Sequence, residues 1–246
     1  MKRTLTALLC LFLLLMAVPV SGEEPMRVYT LAGPTGIGMV GMMEDNGGEY
    51  AFTLCSAAND IVAAIASGSA DVAACPTNLA ATLCQKTSGA VQLLALNTLG
   101  VLPEPHVTSA LMQNDSLRAA LDVTALFEDA ARADGKADMV LSMGCVIVRR
   151  AYAQEHPEAV AQLLSDYAAS VKQVNADVSA AAQLVQKHGI LPKAAVAERA
   201  IPNCHIVFLT GDAMRAQIEP LYQLLYDANP ASVGGALPDD AFYYVP

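Results

Sequence analysis

The first hundred residues alternate between short apolar runs typical of strands and stretches with helical periodicity. Strand-type runs lie at 26–33, 49–55, 70–75 and 90–101, and helical segments lie between them at 36–44, 58–67 and 76–86. Strands joined through helices pair in parallel, because each helical crossover returns the chain to the same end of the sheet. The alternation therefore predicts an α/β fold with a mainly parallel sheet flanked by helices.

The second half of the chain is predominantly helical. One further strand-type run, MGCVIVRR at 143–150, brings the predicted sheet to five strands. Helical periodicity is found at 157–176, about 178–188, 193–200 and 211–228. No internal repeat and no low-complexity linker divides the sequence, so helices and sheet are expected to share their cores.

The N-terminus has the pattern of an export signal. Lys2 and Arg3 precede an apolar run at 5–20, and small residues follow up to an expected cleavage after Gly22. An uncleaved membrane anchor is the alternative, and it is disfavoured because the run is shorter than a comfortable span and contains Pro19. We therefore expect an exported protein, either periplasmic or at the cell surface.

The composition argues against several classes of partner. Without Lys2 and Arg3, the remaining 12 basic and 24 acidic residues give a net charge of −12. Such a chain does not neutralise phosphates, so we expect no nucleic-acid partner and no direct binding to anionic lipid.

The sequence contains no recognisable catalytic or metal-binding motif. Removal of Cys10 leaves five cysteines, an odd number without a C-x-x-C pair, and their spacing alone identifies no disulfide. The four histidines do not pair with other ligands at the spacing of a zinc site. Because the hydrolase and P-loop motifs are also missing from the sequence, we expect neither catalytic residues nor a metal or cofactor.

Small polar side chains and glycine occupy the loops after the first, third and fourth predicted strands. In an open parallel sheet, ligands bind beyond the carboxyl ends of the strands, where helix N-termini present free N–H groups. Converging amides and hydroxyls there would suit a small anion or a polar heterocycle. Thr77 as a helix N-cap and Thr35 as a turn residue are the structural alternatives. The candidate ligand-binding residues are Pro34, Thr35, Gly36, Pro76, Thr77, Asn78, Asn97 and Thr98.

The segment GIGMVG after the first strand has the G-x-G-x-x-G spacing of dinucleotide-binding proteins, through Gly36, Gly38 and Gly41. Asp60 lies near the position of a ribose-binding acid, but at the start of a helix rather than at the end of the second strand. Exported compartments also lack a ready supply of nicotinamide cofactors. An exported dinucleotide-dependent enzyme is therefore an alternative, and a loop that cradles a solute is favoured.

The run IVAAIASGSADVAACPTNLAATL at 61–83, together with VYTLAGPTGIGM and LALNTLGV, resembles a known family. It is similar to type 2 periplasmic solute-binding proteins of ABC importers, in the nitrate/sulfonate/taurine and thiamine-pyrimidine-precursor branch. The segments 102–114, 146–177 and 233–244 extend the resemblance over nearly the whole mature chain. The resemblance implies two α/β lobes that clamp a solute, delivery to permease subunits in the membrane, and a monomer without enzymatic activity.

The resemblance also implies that part of the second lobe is missing. Residues 23–101 and 139–246 would form lobe 1, and 102–138 would be a remnant of lobe 2. Those 37 residues are fewer than a domain needs for its own core. Glu104 lies at the cleft in the family's pattern, where it would accept from an amine or ring N–H; a solvated loop acid is the alternative. A loss of sequence from the gene model would also produce the gap.

These observations lead to two main functional hypotheses. The first is the solute-binding component of an ABC importer that captures a small polar or anionic solute, such as nitrate, a sulfonate, taurine, bicarbonate or a pyrimidine. The alternative is a shortened paralogue that captures no solute and acts through protein contact.

Overall fold

A computed structural model describes residues 24–100, 105–136 and 139–245 of the chain. The predicted export signal at 1–22 and the candidate residue Glu104 lie outside these residues. The described residues form a six-stranded sheet flanked by helices. Its strands are β1 Met26–Leu31, β2 Tyr50–Cys55, β3 Val72–Pro76, β4 Val91–Leu99, β5 Ser142–Arg149 and β6 Ile206–Leu209.

The strands are arranged in the order β2-β1-β3-β5-β4-β6. The β1 strand pairs in parallel with β2 and β3, whereas β5 pairs antiparallel with both β3 and β4. The α/β class and the five predicted strands are confirmed, with four strands pointing the same way and β5 running against them. The sixth strand, β6, pairs antiparallel with β4 and was not predicted, because four residues at a sheet edge carry little periodicity.

Eleven α-helices lie in the part of the chain that the structure describes. They are α1 Pro34–Ile37, α2 Val40–Glu44, α3 Ala58–Ser67, α4 Thr77–Lys86, α5 His106–Gln113, α6 Val123–Ala133, α7 Arg150–Glu155, α8 Pro157–Ala176, α9 Val178–Lys187, α10 Ala194–Ala200 and α11 Gly211–Ala228. The segment predicted as one helix over 36–44 consists of two short helices. Helix α7, directly after β5, was not predicted. None of these helices has the length and apolar content of a membrane span.

The sheet separates two hydrophobic cores. Side chains alternate across each strand, so Val72 and Val146 face one core while Ala73 and Ile147 face the other. Helices α1, α2, α8, α9 and α10 cover the first face, and α3, α4 and α11 cover the second. The chain therefore needs β3 and β5 to be apolar on both sides, which explains their unbroken apolar sequences.

A buried carboxylate holds together the edge of the sheet where β1 and β3 begin. Asp71 is 2% exposed and accepts hydrogen bonds from the Arg27 backbone N–H at 3.0 Å and from its guanidinium at 2.9 and 2.6 Å. Arg149, at the end of β5, donates a further hydrogen bond at 2.7 Å. Burial alone would raise the pKa of Asp71, but the hydrogen bonds from Arg27 and Arg149 lower it below its ordinary value of 3.8. One carboxylate therefore ties three strands together.

The three glycines of the GIGMVG segment are required for close packing. A Cβ on Gly36 would lie 2.8 Å from the Leu31 carbonyl oxygen, and one on Gly41 would lie 2.8 Å from the Ser170 Oγ. The Ser170 hydroxyl on α8 donates to the Gly38 carbonyl at 2.7 Å and accepts from the Gly41 N–H at 3.0 Å. These contacts account for the glycines without a dinucleotide. Asp60 likewise has a local role, because its carboxylate accepts from the Ala57 N–H at the start of α3 at 3.1 Å.

The segment at 105–136 leaves much of its apolar surface in solvent. Ala131 on α6 is buried, and Phe127 packs beside it against the second core. On the outer side of the segment, Leu117, Leu121, Val123 and Leu126 are 45 to 68% exposed. This segment therefore borders the sheet-centred lobe without enclosing a core of its own among the described residues.

Replacing Asp71 with alanine is expected to lower the free energy of unfolding by about 2–3 kcal/mol at pH 7, because it removes charge-assisted hydrogen bonds to a buried acceptor. The folded-state pKa of Asp71 is depressed. Its contribution to stability is therefore complete at pH values above the ordinary pKa and is lost as the pH falls through the folded-state pKa. Denaturant unfolding at pH 7 and pH 3 measures the difference. Asp129→Ala, in an exposed pair with Arg132, is the matched control and should change stability by less than about 0.5 kcal/mol. Equal effects of the two substitutions would contradict the role assigned to Asp71.

Replacing Gly41 with alanine is expected to cost about 1–3 kcal/mol of unfolding free energy, because the added methyl group meets Ser170 and Gln173 on α8. Thermal or denaturant unfolding measures this loss. Gly47→Ala serves as the control, since its methyl group would meet only the exposed, flexible carboxylate of Glu49. If Gly41→Ala were as stable as wild type, the packing explanation for the glycine spacing would be wrong.

Candidate functional site

The predicted ligand-binding loops meet at one edge of the sheet. Strands β1, β3 and β4 all end there, and β5 begins there because it runs in the opposite direction. The strand register places Gly144 of β5 opposite both Pro76 of β3 and Thr98 of β4. This edge, formed by the ends of β1, β3 and β4 and the start of β5, is called the binding edge below.

The binding edge lies at a topological switch point of the sheet. The chain leaves β1 towards α1 and α2 on the first face, whereas it leaves β3 towards α4 on the second face. Connections that depart to opposite faces open a crevice between neighbouring strands, and ligands of open α/β sheets bind in such crevices. The position between β1 and β3 therefore suits a ligand on geometric grounds.

Asn97 holds the loop after β1 in place. Its Nδ2 donates to the Thr35 carbonyl oxygen at 3.2 Å, and its Oδ1 accepts from the Thr98 hydroxyl at 3.1 Å. The Thr35 hydroxyl is 3.4 Å from the Leu31 carbonyl oxygen, one turn earlier. Asn97 and Thr98 are 1% and 0% exposed, so they position the loop rather than reach its outer surface.

Thr77 connects the start of α4 to β5. Its hydroxyl is 2.9 Å from the Ser142 hydroxyl, which also donates to the Gly144 carbonyl at 3.3 Å. The Tyr222 hydroxyl on α11 donates to the Thr77 carbonyl at 3.0 Å. Thr77 is therefore not the N-cap of α4; that position belongs to Pro76, whose side chain makes no capping hydrogen bond.

The N-terminus of α4 presents partial positive charge at the binding edge with no acidic side chain in its first turn. The first amides of any α-helix lack partners within the helix, and the peptide dipoles add partial positive charge there. The first turn of α4 contains no acidic residue that would neutralise this charge. Asn78 in this turn is exposed, and Pro76 is half-buried, so the helix start borders solvent.

Gly144 lets the two halves of the binding edge approach each other. A Cβ at this position would lie 2.4 Å from the Asn97 Oδ1 and 2.6 Å from the Thr35 Cγ2. A third contact, at 3.1 Å, would be with the Thr98 hydroxyl. Any larger residue here would push the loop after β1 away from the start of α4.

The ionisable groups next to the binding edge are held neutral. Burial raises the pKa of the Tyr222 hydroxyl well above its ordinary value, with the nearby Cys145 adding to the effect. Burial also raises the pKa of the Cys145 thiol, and contact with Cys75 raises it further while Thr77 opposes the shift. The edge therefore offers hydroxyl, amide and backbone donors rather than charged side chains.

The structure brings six of the predicted site residues into one connected group: Thr35, Gly36, Pro76, Thr77, Asn97 and Thr98. Pro34 is half-buried at the start of α1, beside Thr35, and Asn78 lies on the outer side of α4. Glu104 lies outside the described residues. Their joint position at a sheet edge is a finding, whereas contact with a ligand stays a prediction.

Sequence reasoning missed Ser142, Gly144 and Tyr222. The predicted fifth strand began one residue after Ser142 and included Gly144 without giving it a role. A glycine inside an otherwise apolar strand often marks a close backbone approach, so that signal was available. Tyr222 has no such signal, because one tyrosine on a helix resembles any other.

At the binding edge, Thr35, Thr77, Asn97 and Thr98 are buried, whereas Asn78 is exposed. Three surface concavities away from the binding edge have volumes of about 580, 340 and 390 Å³. They adjoin Gly68 and Arg150, Gly41 and Gln173, and Pro220 and Leu237, respectively. Across residues 24–100, 105–136 and 139–245, no group of three or more histidine, cysteine or acidic side chains is arranged to hold a metal ion.

Comparison with protein-family models and with curated protein sequences finds no match. Comparison with solved structures does find similar folds. A structure of an ABC transporter protein from Parabacteroides distasonis has 16% identity and a TM-score of 0.78, covering 91% of this chain and 99% of that one. The aliphatic sulphonate binding protein SsuA from Escherichia coli has 14% identity and a TM-score of 0.58, covering 92% of this chain and 93% of its own.

A Candida albicans protein described as having the generic periplasmic binding protein fold has 9% identity and a TM-score of 0.55. The match covers 89% of this chain and 93% of the Candida protein. Sequence identities this low carry information about the fold and not about the ligand. Together with the strand order and the switch-point edge, these similarities show that the chain has the periplasmic binding protein fold.

Proposed function

We propose that this chain is the extracytoplasmic solute-binding component of an ABC importer and binds a small polar or anionic solute at the binding edge. The observation that carries the proposal is the start of α4, which follows Pro76, the residue that pairs with Gly144 beside Thr35 at the switch point. Hydroxyl and amide donors together with a helix N-terminus match an oxyanion better than a cation. The chain would bind its solute and leave it chemically unchanged.

The sequence supports the cellular setting of this proposal. The charged start, apolar run and small-residue end at 1–22 have the order of an export signal. The resemblance to nitrate, sulfonate and taurine binding proteins implies delivery to permease subunits in the membrane by a monomer. The similarity to an aliphatic sulphonate binding protein makes sulfonates the first solutes to test.

Residues 23–101 and 139–246 are proposed to form lobe 1, with 102–138 as the remnant of lobe 2. In two-lobed binding proteins, closure of rigid lobes buries the solute. Here the segment at 105–136 leaves leucines in solvent and encloses no core of its own among the described residues. A partly open site leaves one side of the solute hydrated, so we expect weaker binding than in a closed two-lobed protein.

A shortened paralogue that acts through protein contact is the second candidate. The observation that favours it is the exposed apolar surface of Leu117, Leu121, Val123 and Leu126. Large exposed apolar patches often mark protein contacts. In addition, the Thr98 hydroxyl donates to the Asn97 side chain, and the Asn97 amide donates to the Thr35 carbonyl, so these groups are already hydrogen-bonded within the protein. The two candidates differ in whether any small solute stabilises the fold.

Solute binding is expected to raise the melting temperature of the purified chain in proportion to the logarithm of solute concentration. A ligand at about 100 times its dissociation constant adds roughly 2.7 kcal/mol to the unfolding free energy. Thermal unfolding with an aliphatic sulfonate, taurine, nitrate, bicarbonate and a pyrimidine, each raised to millimolar concentration, tests this. Sodium chloride at equal ionic strength is the control for non-specific salt effects. A melting curve that none of these solutes moves would favour the protein-contact candidate.

Gly144→Ala is expected to weaken binding of the stabilising solute by about 10- to 100-fold, because the methyl group displaces the Thr35 loop from the start of α4. Thr77→Val removes one hydroxyl while keeping the shape, and a loss of about 2- to 10-fold is expected. Thr87→Val, after the opposite end of α4, is the matched control, since its hydroxyl bonds only the Leu83 carbonyl of its own helix. Isothermal titration measures all three dissociation constants. Equal affinities for the Thr77 and Thr87 variants would place the solute elsewhere.

A further inference from the structure

Two cysteines lie directly opposite each other in the sheet, one step inside the binding edge. The antiparallel register pairs Cys75 of β3 with Cys145 of β5. Both side chains are 0% exposed and both face the second core. The Cys145 Sγ lies 3.5 Å from the Cys75 carbonyl oxygen, so the Cys145 side chain points at the partner strand.

Directly opposed residues in an antiparallel pair meet the distance requirement of a disulfide. Their Cα atoms are roughly 4.5–5.5 Å apart, depending on the type of pair. Disulfides span Cα separations of roughly 4.4–6.8 Å. Because both side chains leave the same face of the sheet, their Cβ atoms also point the same way. In the structure both cysteines are free thiols, so forming the bond requires the Cys145 Sγ to turn from the Cys75 carbonyl oxygen towards the Cys75 sulfur.

The other mature cysteines occupy different positions in the fold. Cys55 ends the edge strand β2, and Cys84 lies on helix α4. Cys204 belongs to the core on the opposite face. The strand register thus selects one pair from the five cysteines, which the spacing in the sequence could not do.

We propose that Cys75 and Cys145 form a cross-strand disulfide that locks β3 to β5 behind the binding edge. The two thiols lose two protons and two electrons as the S–S bond forms. The electrons pass to a disulfide oxidant of the thiol-exchange type, which is reduced to two thiols. That oxidant belongs to an oxidising compartment, so formation in the cell rests on the export proposed above. The bond itself rests on the register alone.

Burial determines when the bond can form and how long it lasts. Thiol exchange proceeds through the thiolate, and burial raises the pKa of the Cys145 thiol well above its ordinary value. The folded reduced chain therefore reacts slowly, and the bond forms while the chain is folding. Once formed, it is shielded from reductants by the core. It would restrain Pro76 and Gly144, the residues next to each cysteine at the binding edge.

The purified full chain, unfolded and refolded in glutathione buffers of graded redox potential, tests the proposal. Alkylation in denaturant followed by peptide mass spectrometry is expected to modify every cysteine except these two. A peptide pair joined through Cys75 and Cys145 should appear, lighter by two hydrogens than the reduced pair. Oxidised chain should melt about 5–15 °C higher than reduced chain, since cross-linking restricts the unfolded ensemble. Alkylation of both cysteines in oxidising buffer, or a dominant cross-link to another cysteine, overturns the proposal.

Two variants separate the proposed bond from a general effect of oxidation. Cys145→Ala should abolish both the cross-link and the redox-dependent melting difference, whereas Cys84→Ala should retain both. If Cys145→Ala fails to fold, the peptide map of the wild-type chain still decides. Protein recovered from cells and alkylated at once tests whether the bond forms in the cell. If Cys75 and Cys145 are reduced there but cross-linked in glutathione buffer, the result supports the pairing and counts against export.

Discussion

The pairing of β5 with both β3 and β4 is the constraint on which the rest of the structure depends. This strand comes from beyond residue 138 in the sequence and inserts against two strands from the first hundred residues. Its antiparallel direction brings Ser142 and Gly144 to the edge where the other strands end. Only a residue without a side chain fits at 144, because the Asn97 and Thr35 side chains fill that space. The loop after β1 and the start of α4 are therefore held together by a distant piece of chain.

The two ends of the central strands carry different chemistry. At one end, Asp71 binds Arg27 and Arg149, and these charged hydrogen bonds fasten β1, β3 and β5 together. At the other end, hydroxyls, amides and a helix N-terminus are left without a charged partner. The ion-paired end fastens the strands, and at the other end hydrogen bonds from Asn97 and Thr98 hold the loop after β1 in place. This division is consistent with the proposal of a small polar or anionic solute at the binding edge.

The segment at 105–136 encloses no core of its own among the described residues. Its helices pack on the lobe through Ala131 and Phe127 and leave several leucines in water. The proposed Cys75–Cys145 bond lies one residue inside the binding edge, where it would reduce motion of β3 against β5.

The sequence by itself determined the α/β class, five of the six strands and the candidate loops, because alternating apolar periodicity and turn residues are local signals. Thr35 and Thr77 could be selected because each follows a strand, and Asn97 because it lies near the end of β4. Only the tertiary structure decided that Asn97 orients the Thr35 loop, that Pro76 rather than Thr77 is the N-cap of α4, and that Cys75 faces Cys145. It also decided that Gly38 and Gly41 pack on α8 rather than on a dinucleotide. Each of these depends on pairing between segments far apart in sequence, whose register no local pattern contains.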